Sequence, residues 1–173
     1  MTQMILCGRG GQGIVFLTRL LGDIATQKSL NVISSETHGM AVRGGSVNSH
    51  LKIGPFSSPL IRWGQADCVV SLNSSETLNN KHFLKQGGII FENSSARSEW
   101  GLYRMDASNI ARSIGGIQLE NVVLLGFSIS LSNLEISLDD IRQKLAEESR
   151  YMTREHNLAA LEAGVRSAGA LLM

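Results

Sequence analysis

The sequence predicts an α/β fold: a single domain over residues 1–173, built as a three-layer sandwich with a mixed, mostly parallel sheet and a Rossmann-like start. Three observations predict it. An apolar run from Met4 to Cys7 passes through a glycine cluster into a helical pattern and then a second strand, the layout of a βαβ unit. From Ser46 to Ile53, apolar and polar residues alternate with period two, as in a half-exposed antiparallel strand. No internal repeat or low-complexity linker divides the chain, and 173 residues can bury one substantial core.

Met4 to Cys7 reads as a buried strand. Gln12 to Lys28 follows as a helix with Ile14, Leu17, Leu21 and Ile24 on one stripe, and Asn31 to Glu36 as a second strand parallel to the first. Thr37 to Gly45 (THGMAVRGG) is a loop that leads into the alternating strand. Gly54-Pro55 then turns the chain, and Ser58 to Ile61 is expected to return as a short edge strand, where Pro59 is tolerated. Cys68 to Leu72 is a further buried strand, and Ser74-Ser75-Glu76 opens a short helix. Gly87-Gly88 leads into a strand at Ile89 to Glu92. Gly101 to Met105 reads as a strand, Asp106 to Ser113 as a helix, and Val122 to Ser128 as the last core strand. Ser137 and Asp140 have the spacing of a capping box for a helix through Glu148. Thr153 to Leu172 is the final helix, and Ala160, Ala163 and Gly164 thin its flanks for close packing.

Composition excludes several classes. Hydrophobic residues make up 43% and charged residues 18%, and the formal net charge is +1. That leaves no basic excess to neutralise phosphates, so neither nucleic acid nor a membrane surface is an expected partner. No apolar run approaches the ~20 residues that span a bilayer. With no signal peptide recognised, a cytoplasmic location is expected. The two cysteines, Cys7 and Cys68, lie far apart in apolar runs and fit no metal or redox spacing. An iron–sulfur cluster needs about four thiolates, so this chain is not expected to hold one alone, and no metal site is expected.

Gly8-Arg9-Gly10-Gly11-Gln12-Gly13 satisfies the pattern G-x-G-x-x-G between a strand and a helix, and Glu36 ends the second strand where an acidic residue would meet a ribose. Glycines let backbone N–H groups approach an anion, and a helix N-terminus adds favourable partial charge. A stand-alone dinucleotide-binding oxidoreductase using NAD or FAD is therefore one reading. Against it, the second strand runs into THGMAVRGG and an alternating strand, where a dinucleotide fold needs another crossover helix.

The strand–GRGGQGI–helix opening, the stretch ETHGMAVRGGSVNSHLKIG and the segment SPLIRWGQAD together resemble the gamma-type subunit, or gamma domain, of the 2-oxoacid:ferredoxin oxidoreductases. The form of the second stretch is most similar to the small subunit of indolepyruvate:ferredoxin oxidoreductase. The resemblance is carried by roughly residues 3 to 92, and beyond them by general layout. It implies a part in the oxidative decarboxylation of a 2-oxoacid with coenzyme A, giving an acyl-CoA, carbon dioxide and reduced ferredoxin. It further implies that thiamine diphosphate, Mg and the iron–sulfur clusters belong to partner subunits. This chain would then close the active site against those partners and help hold coenzyme A, with ferredoxin reached through the complex. In isolation it could form a homodimer.

Arg43 is the expected catalytic residue. Glycine on one side and small apolar residues on the other let its planar guanidinium meet a carboxylate or phosphate. The substrate carboxylate, a coenzyme A phosphate and an acidic partner residue are all candidate targets, and an internal salt bridge with Glu36 is the plainer reading. Expected cofactor-binding residues are Gly8, Gly10, Gly11, Gln12 and Gly13 in the first loop, and Gly44, Gly45 and Ser46 in the second. The simpler alternatives are a turn that side chains would obstruct and an ordinary first-turn polar group. Arg9 is the only charge of the first loop. His38 and His50 have no carboxylate or nucleophile at a diagnostic spacing, so ordinary hydrogen bonding is the favoured role. Ser74, Ser75 and Glu76 follow a core strand where open sheets bind ligands, although a helix cap explains them nearly as well.

Overall fold

The computed structural model describes residues 1–39, 44–99, 101–147 and 150–171. Six strands, β1 (Thr2–Arg9), β2 (Val32–His38), β3 (Ser46–Ile53), β4 (Ala66–Ser71), β5 (Leu84–Asn93) and β6 (Leu102–Met105), form one sheet in the order β2-β3-β1-β4-β5-β6. The helices are α1 (Ile14–Gln27), α2 (Ser74–Asn80), α3 (Ala107–Ile114), α4 (Glu120–Ser130), α5 (Leu138–Ala146) and α6 (Tyr151–Gly169). β1, β4, β5 and β6 pair in parallel, and β3 is antiparallel to both of its neighbours. The sheet is thus mixed and mostly parallel, as expected. β1 and β2 run in the same direction but do not touch, because β3 folds back and fills the place between them.

Alternate side chains divide the core. Met4, Leu6, Cys68, Val70 and Phe91 face a thick layer of α1, α3, α4, α5 and α6, whereas Ile5, Cys7, Val69 and Ile90 face the other way. Among the described residues, that second face carries α2, the 3₁₀ turn Lys81–Phe83 and the segment running from Gly54 to Gln65.

Four expectations need correction. Val122 to Ser128 is not a strand but lies within α4, whose residues from Glu120 to Ile129 are all buried. A continuous apolar run suits a buried helix as well as a buried strand, and here helices enclose it. α4 and α6 cross with backbones almost in contact: a Cβ on Gly164 would overlap the Val123 carbonyl oxygen and fall 2.8 Å from the Phe127 nitrogen. Small residues permit that approach, which buries Val123, Leu124, Leu125 and Phe127 at about 1.5–3 kcal/mol each.

Ser58 to Ile61 forms no strand; it crosses the thin face and buries Ile61 there. This covering overturns the half-exposed reading of β3, because His50 and Lys52 on its polar side are only 6% and 7% exposed. β3 lies inside the sheet, between β2 and β1. Finally, Asn73 rather than a serine caps α2, its side chain accepting from the Ser75 N–H at 3.0 Å. The capping box of α5 is present, with the Asp140 N–H donating to Ser137 Oγ at 3.2 Å and the Ser137 N–H to Asp140 Oδ2 at 2.8 Å. Hydrogen bonds from Lys28 and Ser137 hold the Asp140 carboxyl well down, at about 2.

Candidate functional site

From β1 the chain leaves towards β2 on one side, and from β4 it leaves towards β5 on the other. The crevice between the carboxyl ends of β1 and β4 is therefore a topological switch point, where open α/β sheets bind ligands. GRGGQG emerges there from β1, and Leu72 to Ser75 emerge from β4.

The two glycine loops meet at this edge. The Gly10 N–H donates to the Gly45 carbonyl at 2.8 Å, and beside it the Gly39 N–H donates to the Ser46 carbonyl at 2.7 Å. A Cβ on Gly10 would lie 3.3 Å from the Gly44 nitrogen, so the residue must be small for the loops to approach this closely. Gly13, the N-cap of α1, has φ +80°, and a Cβ there would overlap the Asn121 side-chain amide. Both constraints act on backbone that faces the crevice.

Gln12 spends its side chain inside the chain. Its Oε1 accepts from the Arg9 N–H at 2.7 Å, and its Nε2 donates to the Leu72 carbonyl at 3.1 Å and to Glu120 Oε1 at 2.8 Å. Glu120 is 6% exposed and also accepts from Ser108 Oγ at 2.5 Å and from Asn93 Nδ2 at 3.2 Å. Sequence reasoning missed this carboxylate because it opens α4, the helix whose Val122 to Ser128 reads as a strand. Its place in the first turn of α4 suits a negative charge. The network braces the loop from below, and beside it opens a polar cavity of about 350 Å³ lined by Gln12, Asn73, Asn93, Ser94, Asp106 and Ser108.

Other expected residues are distributed as follows. Gly8 ends β1 tightly, a Cβ there lying 3.0 Å from Gln12 Oε1. Gly11 and Gly44 are open, with nothing within 4 Å of an added Cβ. Ser46 donates to Glu76 Oε2 at 2.6 Å, and the Arg9 guanidinium reaches Ser75 Oγ at 3.4 Å. Arg43 lies outside the described residues. His50 is remote from the crevice: it is buried under the thin face, its Nδ1 accepting from the Ile61 N–H at 3.0 Å.

Gly8, Gly10, Gly11, Gln12, Gly13, Gly44, Gly45 and Ser46 thus gather at the same end of the sheet, with Gly10 bonded to Gly45, Gln12 to Glu120 of α4 and Ser46 to Glu76 of α2. The donor chemistry does not suit a cluster: Cys7 and Cys68 lie on opposite faces of the sheet, and burial pushes each thiol up to about 12. Among the described residues no three His, Cys, Asp or Glu side chains gather as metal ligands, and no helix is long and apolar enough to cross a membrane.

Residues 3–167 match the family described as pyruvate ferredoxin/flavodoxin oxidoreductase. The chain belongs to that family. Within the oxidoreductase family, the chain is 28% identical over 189 residues to the indolepyruvate oxidoreductase subunit IorB of Archaeoglobus fulgidus, covering 95% of this chain and 94% of that one. It is 26% identical over 187 residues to the subunit of the same name from Methanothermobacter thermautotrophicus, covering 94% and 95%. In fold it is similar to the gamma subunit of a keto/oxoacid ferredoxin oxidoreductase from Geobacter sulfurreducens, with TM-score 0.79, 22% identity and 98% and 99% of the two chains covered. A 2-oxoglutarate:ferredoxin oxidoreductase from Magnetococcus marinus, solved with 2-oxoglutarate, coenzyme A and succinyl-CoA, matches with TM-score 0.79 and 19% identity, this chain covering 31% of that one. The resemblance therefore holds at the level of family and fold. The sheet also does not favour a stand-alone dinucleotide domain, since the third strand is antiparallel and inserted beside β1.

Proposed function

We propose that this chain is the small, gamma-type subunit of an indolepyruvate-type 2-oxoacid:ferredoxin oxidoreductase, acting in the cytoplasm and carrying no redox centre of its own. It presents the paired glycine loops as one wall of an active site that partner subunits complete, and thiamine diphosphate, Mg and the iron–sulfur clusters belong to those partners. The Gly10–Gly45 hydrogen bond carries this reading, because it joins the two family loops into a single backbone surface at the switch point.

The edge suits an anionic co-substrate. The N-terminus of α1, the open backbone at Gly11 and the exposed Arg9 guanidinium are the donors available to a coenzyme A phosphate. Bound coenzyme A supplies the thiol that carries away the acyl group. Gly10, Gly11, Gly13, Gly44 and Gly45 give close backbone approach, and Gln12 holds the first loop in shape by its bonds to Arg9, Leu72 and Glu120. Arg43, next to Gly44, binds a carboxylate or phosphate of the reactants.

Co-expression with the thiamine- and cluster-bearing chain tests the proposal. The two should co-purify, and the complex should reduce ferredoxin faster with an aryl pyruvate than with pyruvate or 2-oxoglutarate. A chain that purifies alone and binds NAD(H) or FAD in calorimetry overturns it.

A further inference from the structure

At the opposite end of the sheet from the glycine loops, a second cavity of about 410 Å³ is lined by Lys52, Phe56, Ser57, Ser58, Arg62 and Gln65, among others. Lys52 is paired across the sheet with Gln3 near the start of β1, whereas the loops follow its far end at Arg9. At about 3.4 Å per residue the two sites stand some 20 Å apart.

The cavity holds two cations without an anion. Lys52 is 7% exposed, and its ammonium lies 5.0 Å from the centroid of the Phe56 ring. Neither Lys52 nor the exposed Arg62 has an ion-pair partner among the described residues. Asp67, close by in sequence, is taken by the Gln3 N–H at 2.6 Å and by Lys85. Burial first, and the Arg62 charge second, pull the Lys52 pKa down, so the two cations feel one another with no counter-charge between them.

Two like charges lining one cavity repel each other, and an oxyanion held between them relieves that repulsion. The aromatic face of Phe56 offsets only part of it. Ser57 and Ser58 add hydroxyl donors, and a dianion would neutralise both cations. The space exceeds what a bare phosphate fills, which leaves room for the group that carries it.

We propose that this pocket binds the phosphate group of a small molecule between Lys52 and Arg62. The proposal is independent of the active-site reading. It is tested on the full chain by titrating inorganic phosphate against chloride at matched ionic strength, followed by amide NMR shifts and by thermal melting. Saturating shifts are expected at Lys52, Phe56, Ser57, Ser58 and Arg62. Lys52→Met should weaken binding at least tenfold and raise the melting temperature in phosphate-free buffer. Arg62→Ala, an exposed change that spares the fold, should weaken binding by a similar factor. Shifts that track ionic strength alone, shifts that saturate only at Gly10 to Ile14, or variants that bind like the parent overturn the assignment.

Discussion

The Gly10 N–H donates to the Gly45 carbonyl at 2.8 Å, tying the loop after β1 to the loop before β3. β3 makes the contact possible. By folding back between β2 and β1 it returns Gly44, Gly45 and Ser46 to the edge that β1 has just left. Two glycine motifs far apart in sequence thereby become neighbours at the switch point.

Close approach makes Gly10 and Gly13 sensitive in different ways. At Gly10 an added methyl would meet the Gly44 nitrogen at 3.3 Å, so Gly10→Ala should part the loops while the domain still folds. At Gly13 the φ of +80° and the Asn121 amide both oppose a side chain, so Gly13→Ala should cost about 2 kcal/mol or more. Urea denaturation of both variants checks this, with Gly13→Ala expected to be clearly the less stable.

A harsher outcome is expected where α4 meets α6. The Cβ of Gly164→Ala would collide with backbone on α4, not with a flexible side chain, and backbone cannot give way cheaply. Destabilisation of about 3 kcal/mol or more is expected, against about 1 kcal/mol gained if helix propensity alone decided. Thermal melting distinguishes the two by the sign of the shift.

Acid should loosen the thin face through His50. Burial, and after it the Lys52 charge, hold this imidazole below its ordinary value near 6.5, and its Nδ1 must stay unprotonated to accept from the Ile61 N–H. The unfolded chain therefore binds a proton more readily than the folded one. Stability from this group is complete above about pH 6.5 and is lost as the pH falls through the lowered folded value. Denaturation midpoints measured between pH 7.5 and 5 should fall less steeply for His50→Gln, which keeps an acceptor but does not titrate. An equal slope in both proteins would remove His50 from the acid response.

Much of this architecture was legible in the residues. The stripe Ile14, Leu17, Leu21 and Ile24 located α1, and the Ser137/Asp140 spacing located α5. What escaped was decided by tertiary context. Val122 to Ser128 carries no period because α4 is buried on all sides, so helix and strand look alike there. His50 and Lys52 look solvent-facing because their burial comes from Ile61 and Phe56, in a segment without regular structure. The Gln12–Glu120 bond joins residues whose neighbourhood exists only once α4 is a helix. Local pattern fixes an element when one face is wet, and it loses that power when both faces are dry.

The most direct test of the proposed role is coenzyme A-dependent ferredoxin reduction by the assembled enzyme carrying Arg43→Ala in this chain. Turnover should fall by roughly tenfold or more, the loss expected when a charge-assisted bond of about 1.5–3 kcal/mol is removed, while the subunits still assemble. Unchanged kcat and KM in a fully assembled complex would contradict the account.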